Sequence, residues 1–189
     1  TETLGCANTL AAQGSLSRRN FYFAGWSIDG QTYQPGDTTT ITGNRTAYAI
    51  WKKYTMSFSD TGSESGSVPS SVFHFGNMTI PRNAGSLARA GYYVSGWTIN
   101  GVDYRFGSTY TLNSDVVAAP IWSQYTITYT SIATYTGSLP GVTSGFGTTR
   151  LANLQGLAQL PSRSGFVFGG WVIGGTVLQV DANYTLNGN

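Results

Sequence analysis

One cysteine, one histidine and two lysines are all that a chain of 189 residues contains of those types, and each scarcity removes some chemistry. Lone Cys6 allows no disulfide within the chain and no cysteine-based metal site, and single His74 removes most histidine-centred catalytic and metal arrangements. Charged residues are 10% of the sequence, against roughly 25% in an ordinary soluble domain. The net charge of +2, from 10 basic and 8 acidic groups, is too small and too scattered for a face that tracks phosphates or an anionic membrane, so nucleic acid is not an expected partner. The longest apolar run, Val116 to Trp122, is seven residues, where a membrane span needs about twenty, so no membrane span is expected. No basic-then-apolar leader follows Thr1, which reads as a processed chain or a piece of a longer one.

What is abundant points elsewhere. Serine and threonine number 20 and 25, glycine 25, and 14% of the residues are aromatic, with 12 Tyr and 5 Trp. A disordered polar tail has few aromatics, so this chain has the material for a core and is expected to fold. Poverty in Lys and Glu beside richness in Thr, Ser, Tyr and Gly suits an extracellular protein.

The sequence repeats itself. Gly-Trp occurs at Gly25-Trp26, Gly96-Trp97 and Gly170-Trp171, spaced by 71 and 74 residues, and Ile50-Trp51 and Ile121-Trp122 are again 71 apart. Fixed spacing of this kind is the signature of tandem structural units. The stretches from Arg18, Arg89 and Arg163 align throughout, and Tyr54–Pro69 aligns with Tyr125–Pro140. Three units follow: 1–53, which lacks an opening strand; 54–122, the complete copy; and 123–189, which stops at Asn189, aligned with Asp115, before a closing strand.

Strand signals fill each copy. Tyr54 to Ser59 and Tyr125 to Thr130 alternate apolar residues with Thr or Ser, the period of a half-buried strand. The Gly-Trp strand has aromatics on both parities, Phe21 and Phe23 facing one way and Trp26 and Ile28 the other, which predicts an interior strand covered on both faces. Asp29-Gly30, Asn100-Gly101 and Gly174-Gly175 fall at one aligned position and supply the two positive φ angles of a type I′ hairpin turn. A second turn is expected at Gly36 and Gly107, where the third copy has Asp181, a residue that tolerates positive φ. The best helical candidate is Thr148 to Leu160, with leucines three apart, but Gly156 weakens it to one short turn at most. The expected class is mainly β, with little or no helix.

The string Arg-x-Gly-aromatic-x-x-x-Gly-Trp, a hairpin, Tyr-x-x-Gly, a Thr-rich stretch and a closing Ala-x-Ile-Trp resembles the Listeria-Bacteroides repeat, the B-repeat of internalin-type bacterial surface proteins, and covers essentially the whole chain. Asn20 stands where Gly91 and Gly165 stand in the other copies, and Leu178 replaces the tyrosine of Tyr33 and Tyr104. The resemblance implies small β-grasp-like units in secreted or wall-anchored proteins, serving as spacers or adhesion modules and not as enzymes.

Candidate chemistry is sparse. Asp60-Thr61-Gly62-Ser63 spells an aspartic-protease nucleophile motif, whose chemistry needs two carboxylates sharing a proton; the aligned Ser131 and Ile132 supply no second one. Asp60 and Glu64 fall short of the six to eight oxygens of a calcium site, and Ser131 and Tyr135 abandon both carboxylates. No catalytic, cofactor or metal site is therefore expected. Tyr22, Tyr93, Tyr48 and Tyr110 are candidate platforms for stacking on sugar rings, with core filling as the competing role. Trp26, Trp51, Trp97, Trp122 and Trp171 are expected in the core, and Arg18, Arg89 and Arg163 in a contact within each unit. The expected function is a non-enzymatic stalk, spacer or fibre-forming adhesin module, self-associating head to tail by strand addition at its incomplete ends; the alternative is a module that binds cell-wall or host glycans.

Overall fold

The structure, a computed structural model, describes residues 5–82 and 85–188. The expected first four residues of the first copy, and Asn189 at the end of the third, lie outside the described residues. The described residues form strands without a single helix. The first copy supplies β1 (Cys6–Thr9), β2 (Tyr22–Ile28), β3 (Gln31–Tyr33), β4 (Thr38–Ile41) and β5 (Tyr48–Lys52). The second supplies β6 (Tyr54–Phe58), β7 (Val72–His74), β8 (Gly76–Thr79), β9 (Tyr93–Ile99), β10 (Val102–Arg105), β11 (Thr109–Leu112) and β12 (Val116–Ser123). The third supplies β13 (Tyr125–Ile127), β14 (Thr143–Gly145), β15 (Gly147–Arg150), β16 (Trp171–Ile173), β17 (Thr176–Leu178) and β18 (Asn183–Leu186). By contact density the chain groups into two compact units, Thr1–Ser59 with Pro69–Ala84 and Trp97–Ala119, and Asp60–Val68 with Gly85–Gly96 and Pro120–Asn189.

The second copy has a five-stranded sheet of order β10-β9-β12-β6-β7. Its opening strand β6 and closing strand β12 lie side by side and parallel, Val116 opposite Met56 and Ala118 opposite Phe58, a pairing that only a long crossover can make. Alternation puts Val116, Ala118 and Pro120 inward and leaves Val117 in solvent. Met56, Trp97, Ile99, Leu112 and Ala118 are wholly buried there. In the first copy the order is β3-β2-β5, with β5 at the edge, and Trp26 is only half-buried where its counterpart Trp97 is at 0% exposure. The difference has a physical cause: Phe58, on the opening strand, lies 4.6 Å from the Trp97 ring, and the first copy has no described strand in that position.

The third copy resolves into three two-stranded sheets, β13-β14, β15-β18 and β16-β17. Its opening strand has three residues where β6 has five, and its Gly-Trp strand three where β9 has seven. Its core is built on Tyr129, Leu151 and Trp171.

Turn chemistry follows the sequence. Asp29-Gly30, Asn100-Gly101 and Gly174-Gly175 all have positive φ at both residues, the requirement of a type I′ turn. Gly36, Gly107 and Asp181 share positive φ values of 89°, 83° and 59°, and each is followed by the same turn hydrogen bond, Asp37, Ser108 and Ala182 N–H donating to the carbonyls of Gln34, Arg105 and Gln179.

The expectation of little or no helix holds among the described residues, Thr148 to Leu160 included: Thr148–Arg150 belong to β15, paired with β18, and the chain then reverses through Gly156 at φ 78°, which a right-handed helix does not admit. One expectation is corrected: Phe23 and Trp26 do not face opposite ways. The pairing of β2 with β5 slips between Phe23 and Gly25, a bulge that inserts one residue and reverses the alternation, so the two rings meet edge to face at 5.0 Å. Gly25 is required at the bulge: its φ is 122°, and a Cβ there would run into the Tyr33 carbonyl oxygen.

Candidate functional site

Three local devices recur in the copies, and they account for most of the residues that the repeat fixes. The first is the turn that enters the Gly-Trp strand. Phe21, Tyr92 and Phe166 N–H groups donate to the carbonyls of Arg18, Arg89 and Arg163 at 3.0, 3.0 and 3.1 Å, with positive φ at Asn20, Gly91 and Gly165. Positive φ at the third residue of such a turn is the type II geometry, which selects Gly or Asn and explains why Asn20 substitutes for glycine without loss of the turn. Each arginine folds back over the ring it precedes, the guanidinium carbon 4.1, 4.3 and 4.1 Å from the centroids of Phe21, Tyr92 and Phe166. Half-solvated contacts of this kind contribute about 0.5–1 kcal/mol each.

The second device is a tryptophan clamp. The indole N–H groups of Trp26, Trp97 and Trp171 donate to the backbone carbonyls of Ala11, Pro81 and Ala152 at 2.8, 3.3 and 3.1 Å. The residue before each acceptor, Leu10, Ile80 or Leu151, donates its own N–H to the turn carbonyl of Asp37, Ser108 or Ala182. Each Trp therefore ties the segment that follows β1, β8 or β15 to the strand bearing the Gly-Trp pair, while its ring packs toward the core. A buried indole N–H needs such an acceptor. Trp97 and Trp171 are buried; Trp26, Trp51 and Trp122 are half-buried.

The third device lies where one copy passes into the next. Tyr22 stacks on Tyr54 at 4.4 Å and 11° between planes, and Phe75 closes against both. Seventy-one residues on, Tyr93 stacks on Tyr125 at 4.5 Å and 13°, with Phe146 in the place of Phe75. One ring comes from the first residue of a copy's Gly-Trp strand and two from the copy that follows it. Only one residue, Lys53 or Gln124, separates closing from opening strand, and Gln124 also donates to the Gly91 carbonyl at 3.1 Å.

The remaining candidates are dispersed. One face of Tyr22 and of Tyr93 is covered by its stacking partner. Tyr48 is exposed at the start of β5, across from Ser27. Tyr110 packs edge-on against Tyr104 at 5.1 Å, and burial, then the neighbouring Tyr104 hydroxyl, raises its pKa above the tyrosine value. Asp60 and Glu64 serve the backbone: the Asp60 carbonyl accepts from Ser63 N–H in a tight turn, and the Glu64 carboxylate accepts from Ala90 N–H at 3.0 Å. Trp122 caps the same loop, its indole N–H donating to the Thr61 carbonyl at 2.9 Å. His74 contacts the Asn77 carbonyl at 3.0 Å. Among the described residues no three His, Cys, Asp or Glu side chains come together as a metal site, and no helix is long and apolar enough to cross a membrane.

The model of the Listeria-Bacteroides repeat domain family matches residues 3–50 and 54–118, and the chain belongs to that family. No curated protein and no solved structure matches it. The family match ends before the third copy, yet the turn at Arg163, the clamp at Trp171 and the hairpin at Gly174-Gly175 carry the same geometry through residues 150–186.

Proposed function

We propose that this member of the Listeria-Bacteroides repeat family is a non-enzymatic spacer of a bacterial surface protein, in which tandem strand units hold their neighbours at a fixed orientation. The observation that carries the reading is the aromatic triad, present at both passages between copies with the same partners at the same spacing. A one-residue linker leaves little freedom of its own, and a stacked aromatic pair adds about 0.5–1.5 kcal/mol beyond its buried area. Each passage is thus a reproducible joint, and a chain of such joints transmits position. The residues that the repeat fixes serve turns, clamps and joints, which supports a structural role over a catalytic one.

The test places spin labels at Gln31 and Val102, both exposed hairpin positions in adjacent copies, in a Cys6→Ser background. A single narrow distance distribution is expected, broadening when Tyr22 and Phe75 are both changed to alanine. A broad distribution in the parent chain refutes the spacer reading, as does peptide or glycan turnover that disappears in Asp60→Ala.

A further inference from the structure

Both passages between copies bring two phenols face to face. Tyr22 and Tyr54 stack at 4.4 Å and 11°, Tyr93 and Tyr125 at 4.5 Å and 13°. With aromatic carbons no closer than about 3.5 Å, these centroid distances leave a sideways slip of roughly 2.7 Å, close to a ring's width, so peripheral carbons of one ring lie over peripheral carbons of the other. All four rings are half-buried, so each pair is held in place and still reached by solvent. The third ring of each triad, Phe75 or Phe146, is tilted against both partners and carries no hydroxyl. Other tyrosines are placed differently. Tyr104 meets Tyr110 edge-on, at 5.1 Å and 85°, within one copy. Tyr92 lies under the Arg89 guanidinium, Tyr129 is buried against Trp171, and Tyr48 is 67% exposed.

We propose that Tyr22 with Tyr54, and Tyr93 with Tyr125, are sites of oxidative coupling, where hydrogen peroxide acting through a haem peroxidase joins the two phenols as dityrosine and makes the joint between copies covalent. Each phenol gives one electron to the oxidised haem and its hydroxyl proton to water. The two phenoxyl radicals then form a bond between ring carbons ortho to their oxygens. Those carbons give up their hydrogens as protons while the oxygens regain theirs, which restores both aromatic rings. In all, two electrons and two protons leave the pair, and one hydrogen peroxide takes them up as it becomes two waters. Stacking favours the bond-forming step because the unpaired electron occupies a π orbital perpendicular to the ring. Face-to-face rings direct those lobes at each other, and edge-on rings do not. The χ2 torsion of tyrosine is soft, which lets the joined rings twist out of the stack as the new bond shortens. Well-oriented groups within one molecule react with effective concentrations that reach on the order of 10⁵ M, so coupling inside the chain outruns coupling between dilute chains. Either bond links residues 32 apart across a one-residue linker and so fixes one copy to the next.

The coupling site and the spacer reading share the triads but fail separately, because coupling needs the rings to meet and stiffness needs them to stay together. Stiff joints that do not couple would sink only the site; joints that couple but give a broad distance distribution before oxidation would sink only the spacer. The 189-residue chain in the Cys6→Ser background, which has no thiol to scavenge radicals, is treated at low micromolar concentration with hydrogen peroxide and a haem peroxidase. It is then digested with trypsin and read by tandem mass spectrometry. The dominant products are expected to be peptides linked between Tyr22 and Tyr54 and between Tyr93 and Tyr125, each lighter than its parts by two hydrogens. Tyr22→Phe keeps the ring and removes one phenol, so it should cut the first link at least about tenfold and leave the second within about twofold, and Tyr125→Phe should do the reverse. Peptides digested before oxidation no longer hold their rings together and should give either link at least about tenfold less. Three results overturn the site: neither link in a sample whose exposed Tyr48 has been oxidised, a link between Tyr104 and Tyr110 in equal yield, or the same links from the predigested peptides.

Discussion

Replacing Trp97 by alanine tests the packing argument where it is sharpest. The ring is at 0% exposure, lies 4.6 Å from Phe58, and its N–H donates to the Pro81 carbonyl. Emptying a large aromatic core site costs about 3–5 kcal/mol. Leaving the Pro81 carbonyl without its donor adds about 1 kcal/mol. The sum, roughly 4–6 kcal/mol, is a large share of the 5–15 kcal/mol that an ordinary domain has in total. With a urea slope of about 2 kcal/mol per molar, the midpoint should fall by roughly 2–3 M. Near-ultraviolet circular dichroism follows the transition, and amide exchange resolved to Met56–Phe58 and Val94–Ile99 assigns the loss to the second copy. Trp97→Phe retains most of the ring and loses the donor, so it should cost only about 1–2 kcal/mol and remain folded if the alanine variant does not. The same change at half-buried Trp26, against which no described opening strand packs, should cost less than at Trp97. A loss below about 1 kcal/mol at Trp97, or a larger one at Trp26, refutes the assignment of the core.

Alanine at Gly25 or Gly170 should destabilise by more than about 1 kcal/mol in thermal melts, since each has φ near the left-handed range and a Cβ would strike the carbonyl of Tyr33 or Leu178; an unchanged melting temperature would mean that the bulge is dispensable. Asn20→Val should cost about 1–2 kcal/mol, because a β-branched residue resists the φ of 64° found there, while Asn20→Gly should be nearly neutral. Tyr110 gives a pH signature. Its folded pKa is raised, so the stability it contributes is complete below the ordinary tyrosine value of about 10 and is lost as pH rises through the raised one. Tyr110→Phe should flatten the alkaline fall in stability measured by urea titration, and an identical fall in the variant would place its cause elsewhere.

The sequence by itself determined the local geometry. Asp29-Gly30, Asn100-Gly101 and Gly174-Gly175 declared their hairpins because few residues accept two successive positive φ angles, and Asp181 was legible in the place of a glycine for the same reason. The all-strand class was equally legible, from alternation and from the 71-residue period. Only the tertiary structure decided what those local forms do. Period-two reasoning put Phe23 and Trp26 on opposite faces, and the bulge at Gly25, which depends on pairing with β5, reversed one of them. Leucines three apart left room for one short helical turn at most near Leu151, and pairing of β15 with β18 and the burial of Leu151 against Tyr129 and Trp171 decided for none. The stacking of Tyr22 on Tyr54 joins residues 32 positions apart. Sequence spacing shows that such residues recur, but whether their side chains meet is fixed by long-range strand pairing, whose energy belongs to no local stretch of the chain.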